Sequence, residues 1–171
     1  MTTKRTACLA LVLALLASAL FSAEPPAAQK KPTAVAFSVG DFYLSPEFLG
    51  VTAGVGGKAA VGVNAEYFLT KSIAVGGDVA FFMESPSVLS LLPDIEYHFN
   101  SQSPSWDVYA GAGPALFIWL DSPSQTLLGI KAYGAARYFF NPGAGAFLKL
   151  GVATDSNSAA LFWAAGISIK I

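Results

Sequence analysis

Between residues 60 and 84 the chain alternates, with a strict period of two, between apolar residues and residues that are small or polar; this constrains the backbone more than any other feature. From Ala60 to Leu69 the odd positions hold Val61, Val63, Ala65, Tyr67 and Leu69, and the even positions hold Ala60, Gly62, Asn64, Glu66 and Phe68. From Ile73 to Glu84 the odd side is Ile73, Val75, Gly77, Val79, Phe81 and Met83, while the even side carries Ala74, Gly76, Asp78, Ala80, Phe82 and Glu84. Successive side chains of a strand point to opposite faces, so each segment has one face suited to hydrocarbon and one that collects the charges. The pattern continues downstream. Asp94, Glu96, His98 and Asn100 oppose Ile95, Tyr97 and Phe99, and Asp107 opposes Trp106 and Val108. Lys131 and Arg137 oppose Ile130, Ala132, Ala136 and Tyr138; Lys149 opposes Leu148 and Leu150; Ser168 and Lys170 oppose Ile167, Ile169 and Ile171.

With an opening strand added at Phe48 to Val55, the alternation predicts eight strands near residues 47–56, 60–70, 73–84, 92–100, 106–120, 127–140, 145–154 and 160–171. Gly56-Gly57, Lys71-Ser72, Pro142-Gly143 and the polar stretches 101–105, 121–125 and 155–158 supply turn chemistry between them. An even number of such strands with short connections predicts an all-β fold, an eight-stranded antiparallel up-and-down transmembrane β-barrel. Pro114 lies mid-strand between glycine and alanine neighbours, where a kink or bulge is expected. The stretch VAFSVGDFYL, residues 35–44, is read as a segment at the periplasmic rim, with a ninth strand or an extension of the first as alternatives.

Composition decides which way the barrel faces. Hydrophobic residues make up 54% of the chain and charged residues only 12%. A soluble lipocalin-like carrier would turn its apolar face inward and coat its exterior with lysine and glutamate, yet the polar faces here hold mainly glycine and alanine, such as Gly62, Gly76, Gly111, Gly113, Gly145 and Gly166. Small residues suit the crowded interior of a narrow barrel. Tyr67, Tyr97, Phe99, Trp106, Tyr138 and Phe140 gather toward one rim and Phe81 and Trp163 toward the other, as interfacial girdles do. After the first residues no run of 18 apolar residues occurs, which excludes a helical membrane protein. A net charge of −1 with scattered lysines and arginines gives no case for nucleic acid.

The N-terminus reads as an export signal. Lys4-Arg5, the apolar run from Ala7 to Leu16 and the small residues Ala17 to Ala19 predict a cleaved signal peptide over residues 1–23, followed by a Pro- and Lys-rich periplasmic N-terminal linker over 24–43 and the barrel domain over 44–171. Cys8, the only cysteine, lies inside that leader, so the exported chain has no thiol or disulfide.

The phrases LSPEFLGVTAGVG, NAEYFLTKSIAVGGDVAFF, IEYHF, WDVYAGAGPAL, GAARYFF and GISIKI, spread over residues 44–171, resemble the small bacterial outer membrane β-barrel proteins of the OmpA/OmpX-like class. The resemblance implies a location in the bacterial outer membrane, contact with outer membrane lipid and delivery by the barrel-assembly machinery. In such proteins a terminal strand of glycine and alternating apolar residues is the assembly signal; Gly166, Ile169 and Ile171 keep that spacing with aliphatic in place of aromatic residues.

The polar parity then has a purpose. Glu66, Asp78, Glu96 and Asp107 come from the first half of the barrel and Lys131, Arg137, Lys149 and Lys170 from the second, all inward, so that opposite charges meet across the lumen. An unpaired charge in hydrocarbon is expensive, and inward pairing removes the cost while plugging the lumen. Ion pairs are expected to link Glu66, Asp78 and Glu96 to Arg137 and Lys149. Function is expected to be structural or to lie in surface interactions with an unspecified partner, the alternative being a small passive channel of porin type. The connections on the outer side fall near 56–59, 85–91, 121–126 and 155–159, where SPSVLSLLP, residues 85–93, would be an apolar loop resting on the membrane interface or open to a partner. No catalytic residue and no cofactor are expected. His98 is the only histidine, with Ser101 and Ser103 nearby; it is read as a hydrogen-bonding group of the lumen, and its lone status argues against zinc.

Overall fold

Strands form where the alternation placed them, because only an extended backbone puts one face of every segment on the lumen and the other outside. The computed structural model describes residues 37–53, 56–83, 86–99, 103, 105–120, 125–154 and 158–171. The expected signal peptide, the first part of the linker and parts of the turns, Ser101 included, lie outside the described residues. Among those described, the chain runs through β1 (Phe42–Ala53), β2 (Gly56–Phe68), β3 (Ile73–Phe82), β4 (Val88–Phe99), β5 (Trp106–Trp119), β6 (Thr126–Asn141), β7 (Ala144–Thr154) and β8 (Ala159–Lys170). Every strand pairs antiparallel with its sequence neighbours, and β1 pairs with β8, so the sheet closes into a barrel.

Three strands start several residues earlier than the sequence reading placed them: β2 begins at Gly56 and not near residue 60, so the Gly56-Gly57 pair expected in the turn belongs to the strand. The first strand starts at Phe42, five residues before the expected position, so part of the segment 35–44 belongs to the wall. Phe37, from the same segment, is buried and stacks on Phe68 at 4.1 Å, while Gly40 between them takes a positive φ of 90°. The apolar loop expected at residues 85–93 is instead mostly strand. Val88 and Leu92 point inward into the core, and Leu89 and Leu91 pair with β5 on the outer face. Alternation within VLSLL is hard to see because both faces are apolar there.

Apolar side chains occupy the lumen at both ends. Near the rim from which both termini emerge, Phe37, Tyr43, Phe68, Ala74 and Phe139 form one cluster. Toward the opposite rim Leu49, Ala60, Phe82, Val88, Leu92 and Ala115 form another, backed by Val51, Phe117 and Trp119. Outside, the wall is apolar, from Val79 at 52% exposure to Ile95 at 64% and Leu128 at 68%. Tyr97 packs edge-on to Phe99, and Trp106 lies beside Tyr138 and Tyr138 beside Phe140, two aromatic groups on the outer wall toward the terminal rim.

Among the described residues the ladder is interrupted at two places marked by proline and glycine, and the β6–β7 register shifts once between Phe139 and Asn141, beside the Pro142-Gly143 turn. Between β4 and β5 the pairing passes from Leu91↔Leu116 to Ile95↔Ala112, leaving Pro93 opposite Pro114 without ladder bonds but with the register unchanged. Neither proline has an N–H to donate, so one gap absorbs both deficits. Of the kink or bulge expected at Pro114, the unchanged register excludes the bulge. A Cβ at Gly113 would meet the carbonyl of Pro93, which explains the glycine. At the closing seam the β1–β8 pairing skips Pro46 in the same way, and the Ser45 hydroxyl donates to Ser168 Oγ at 2.9 Å just inside it. Gly166 packs against the Pro46 carbonyl there. The seam is sealed outside by Trp163, whose indole lies over Gly50, its cross-strand partner.

Replacing Gly50 with valine would drive the Trp163 indole off the seam. Tryptophan emission and the unfolding midpoint in urea should both shift, with a loss of about 1–3 kcal/mol from the forced displacement. The same substitution at Gly134, where a Cβ would meet nothing within 4 Å, should leave the midpoint nearly unchanged.

Candidate functional site

Period-two alternation delivers the charges to one surface, and barrel closure brings that surface together. Glu47 comes from β1, Glu66 and Asn64 from β2, Asp78 from β3, Asp94, Glu96 and His98 from β4 and Asp107 from β5. Lys131, Tyr133 and Arg137 come from β6 and Lys149 from β7, on the facing wall. All are buried between the two apolar clusters.

Asp78 is the hub. Its Oδ2 lies 2.6 Å from Lys131 Nζ and its Oδ1 2.9 Å from Lys149 Nζ, and Asn64 Nδ2 donates to Oδ1 at 3.0 Å. Lys131 also reaches Asp94 at 2.6 Å, and Lys149 approaches Glu96 at 3.9 Å. A second centre forms on Arg137, whose Nη2 donates to Glu66 Oε2 at 2.5 Å while Nε stands 4.0 Å from Asp107. The guanidinium carbon lies 5.0 Å from the Tyr109 ring and 5.3 Å from the Tyr43 ring, and Lys149 Nζ 5.1 Å from that of Tyr133, so aromatic faces surround the cations where carboxylates do not. The Tyr133 hydroxyl bridges Asp94 Oδ2, at 2.9 Å, and Glu96 Oε1.

His98 links the two centres. Nδ1 is 3.0 Å from Asp107 Oδ2, Nε2 is 3.0 Å from Glu66 Oε1 and 3.6 Å from Glu96 Oε2, and the ring stacks on Tyr109 at 4.8 Å. Ser103 does not enter this arrangement: its Oγ accepts from the backbone N–H groups of Ser105 and Trp106 and holds the turn.

Seven of the eight residues expected in the lumen network are buried in it: Glu66, Asp78, Glu96, Asp107, Lys131, Arg137 and Lys149. Lys170 is not. It pairs with Asp41 at 2.7 Å on the terminal rim, where its side chain is 39% exposed, because β8 ends there. Four participants were missed. Asp94 stands on the polar side of the alternation and needed only the same parity rule. Tyr133 shares the parity of Lys131 and Arg137 but reads as apolar. Glu47 stood on the very edge of the expected first strand, with no alternation ahead of it to set its face, and Tyr109 was hidden by its hydrophobic neighbours. Of the assembly signal, Gly166 pairs with Glu47, Ile169 faces outward and Ile171 extends beyond the strand, its N–H donating to Phe42 O. Counting histidines and cysteines argued against a metal, but the fold brings Glu66 and Glu96 to His98, with ligand atoms of all three within 4.8 Å of one another.

Neither a protein-family model nor a curated protein matches the sequence. Solved structures do. The N-terminal β-barrel domain of Pseudomonas aeruginosa OprF superposes with a TM-score of 0.63 at 17% identity, covering 77% of this chain and 99% of that one. Neisserial surface protein A gives 0.62 at 18% identity over 76% of this chain and 97% of its own. A de novo designed transmembrane β-barrel gives 0.54 at 15% identity over 80% and 99%. The fold is that of the small outer membrane β-barrels. At these identities the likeness is one of fold, and the charged lumen of this outer-membrane-type barrel has to be understood from its own residues.

Removing one member of a buried pair strands the other. Asp78→Asn should lower unfolding stability by about 3–5 kcal/mol, because two lysines lose their shared partner. Lys170→Gln, at the solvated rim, should cost less than about 1 kcal/mol. Equilibrium urea unfolding of both variants in lipid vesicles checks the contrast, and equal effects would dismiss the network as the stabilising element.

Proposed function

We propose that the chain is a bacterial outer membrane barrel with a closed lumen, acting as a structural or surface-interaction protein and not as an enzyme or a channel. The observation that carries this reading is the layering of the lumen: a layer of buried charged side chains spanning the barrel, with an apolar cluster at each end. An ion entering from either rim would meet packed aromatic and aliphatic side chains, then lysine–carboxylate contacts with no free passage between them. The outer membrane as location is supported by the apolar outer wall, the aromatic groups toward the terminal rim and the fold shared with OprF and the Neisserial surface protein. A water-facing wall of this kind would aggregate.

Surface interaction, in this reading, falls to the four connections opposite the termini, which join β1 to β2, β3 to β4, β5 to β6 and β7 to β8. They are short, so a partner would meet a rim and not a set of long loops.

Planar bilayers containing the refolded protein should show no conductance steps above the bare membrane; recurrent openings would replace this reading with that of a small channel. Trp106 and Trp163, both on the outer wall, should lose most of their fluorescence in vesicles of lipids brominated along the acyl chain. Unquenched tryptophans in a protein that stays dispersed without detergent would remove the membrane location.

A further inference from the structure

The lumen holds more carboxyl groups than basic ones. Six buried carboxylates, those of Glu47, Glu66, Asp78, Asp94, Glu96 and Asp107, face three permanently positive side chains, Lys131, Arg137 and Lys149, together with His98. Three atoms of this surplus converge and stay without a hydrogen bond: Glu66 Oε1, Glu96 Oε2 and His98 Nε2. Their side chains are between 0 and 2% exposed. Nε2 stands 3.0 Å from Glu66 Oε1 and 3.6 Å from Glu96 Oε2.

The opposite atom of each residue is held in place. Asp107 lies against His98 Nδ1 at 3.0 and 3.1 Å, Arg137 donates to Glu66 Oε2 at 2.5 Å, and the Tyr133 hydroxyl donates to Glu96 Oε1. Fixing the far atom of every ligand and leaving the near atom bare is the arrangement of outer partners around a metal centre, where a carboxylate on one imidazole nitrogen directs the other toward the ion. Ligand atoms around a tetrahedral ion with bonds of ~2.0–2.2 Å stand about 3.3–3.6 Å apart. The 3.6 Å from Nε2 to Glu96 Oε2 falls at the upper end of that range, the 3.0 Å to Glu66 Oε1 lies just below it, and all three atoms are within 4.8 Å of one another.

We propose that Glu66, Glu96 and His98 form a lumenal binding site for a first-row divalent transition-metal ion, with Zn²⁺ the best match. One imidazole with two carboxylates suits zinc, whereas calcium and magnesium take oxygen donors in greater number. Phe37 and Phe68 pack on His98 with ring centres 5.0 and 4.7 Å away and cover the site from the terminal rim. The ion therefore enters as the barrel forms and exchanges slowly afterward. The inference rests on the barrel geometry, independent of which membrane holds it or whether it conducts.

The test is to refold the untagged chain in detergent micelles with Zn²⁺ present, pass it over a weak chelator and measure retained zinc and its X-ray absorption fine structure. About one zinc per chain is expected, in an oxygen and nitrogen shell with a single imidazole signature. Because His98 is the only histidine, that signature assigns the ion to this site without any substitution. Glu96→Gln should abolish retention, while Asp41→Asn, a carboxylate at the mouth, should keep it. Retention well below one equivalent, a shell without imidazole, or retention unchanged in a folded Glu96→Gln protein would each overturn the proposal. If that variant does not fold, the wild-type stoichiometry and spectrum decide alone.

Discussion

Charge in a barrel jacketed by hydrocarbon must be neutralised from inside, and the rest of this structure follows from that demand. A lone lysine or carboxylate on the outer wall faces a medium with no water and no counter-charge, so every strand that carries charge carries it inward. Once inside, the charges are cut off from both rims by Tyr43, Phe68 and Phe139 on one side and Leu49, Phe82 and Val88 on the other. Solvent screening is lost, and pairing geometry alone sets the energy. Asp78 with two lysines, Arg137 with Glu66, and Tyr133 bridging two carboxylates are the consequences. Ala74, Ala80 and Gly76 belong to the same solution, because large polar side chains from one wall need small residues beside them in so narrow a lumen.

Closure supplies the second constraint. A sheet in lipid cannot leave an edge, and a proline in a closed barrel always withholds a ladder bond. The chain concentrates this defect. Pro93 and Pro114 share one gap, and the gap at Pro46 is reinforced by the Ser45–Ser168 hydrogen bond inside and lies on the same seam as the Trp163 indole outside. The glycines at these places are steric requirements of strand approach. They are not points of flexibility, since Gly40 alone among the described residues has a positive φ.

Fold and function separate clearly in this molecule. The same barrel is reached by natural outer membrane proteins and by a designed one at identities of 15–18%, so the architecture records the demands of the bilayer more than any activity. What distinguishes this chain is the composition of its lumen, where carboxylates outnumber permanent cations and one histidine joins the two ion-pair centres. A lumen serving only as filler could be apolar throughout. Retaining so many buried carboxylates points to specific pairing, or to a bound cation, as the property being kept.

The sequence by itself determined the strand count, the inward and outward faces of most strands, and the fact that Glu66, Asp78, Glu96, Asp107, Lys131, Arg137 and Lys149 share an interior. These are consequences of a period of two, which is local and survives any later arrangement of the strands. It did not determine who meets whom. Lys131 chooses Asp78 and Asp94 across the lumen, Lys170 ends at the mouth beside Asp41, and Glu66 and Glu96 arrive together at His98, because stagger and tilt in a closed barrel set the height of each residue. Nor did it place Val88 to Leu91 in a strand, since a segment apolar on both faces has no visible period. Phe37 over His98 was likewise beyond reach: it lies outside any regular element, and only the packed lumen gives it a place.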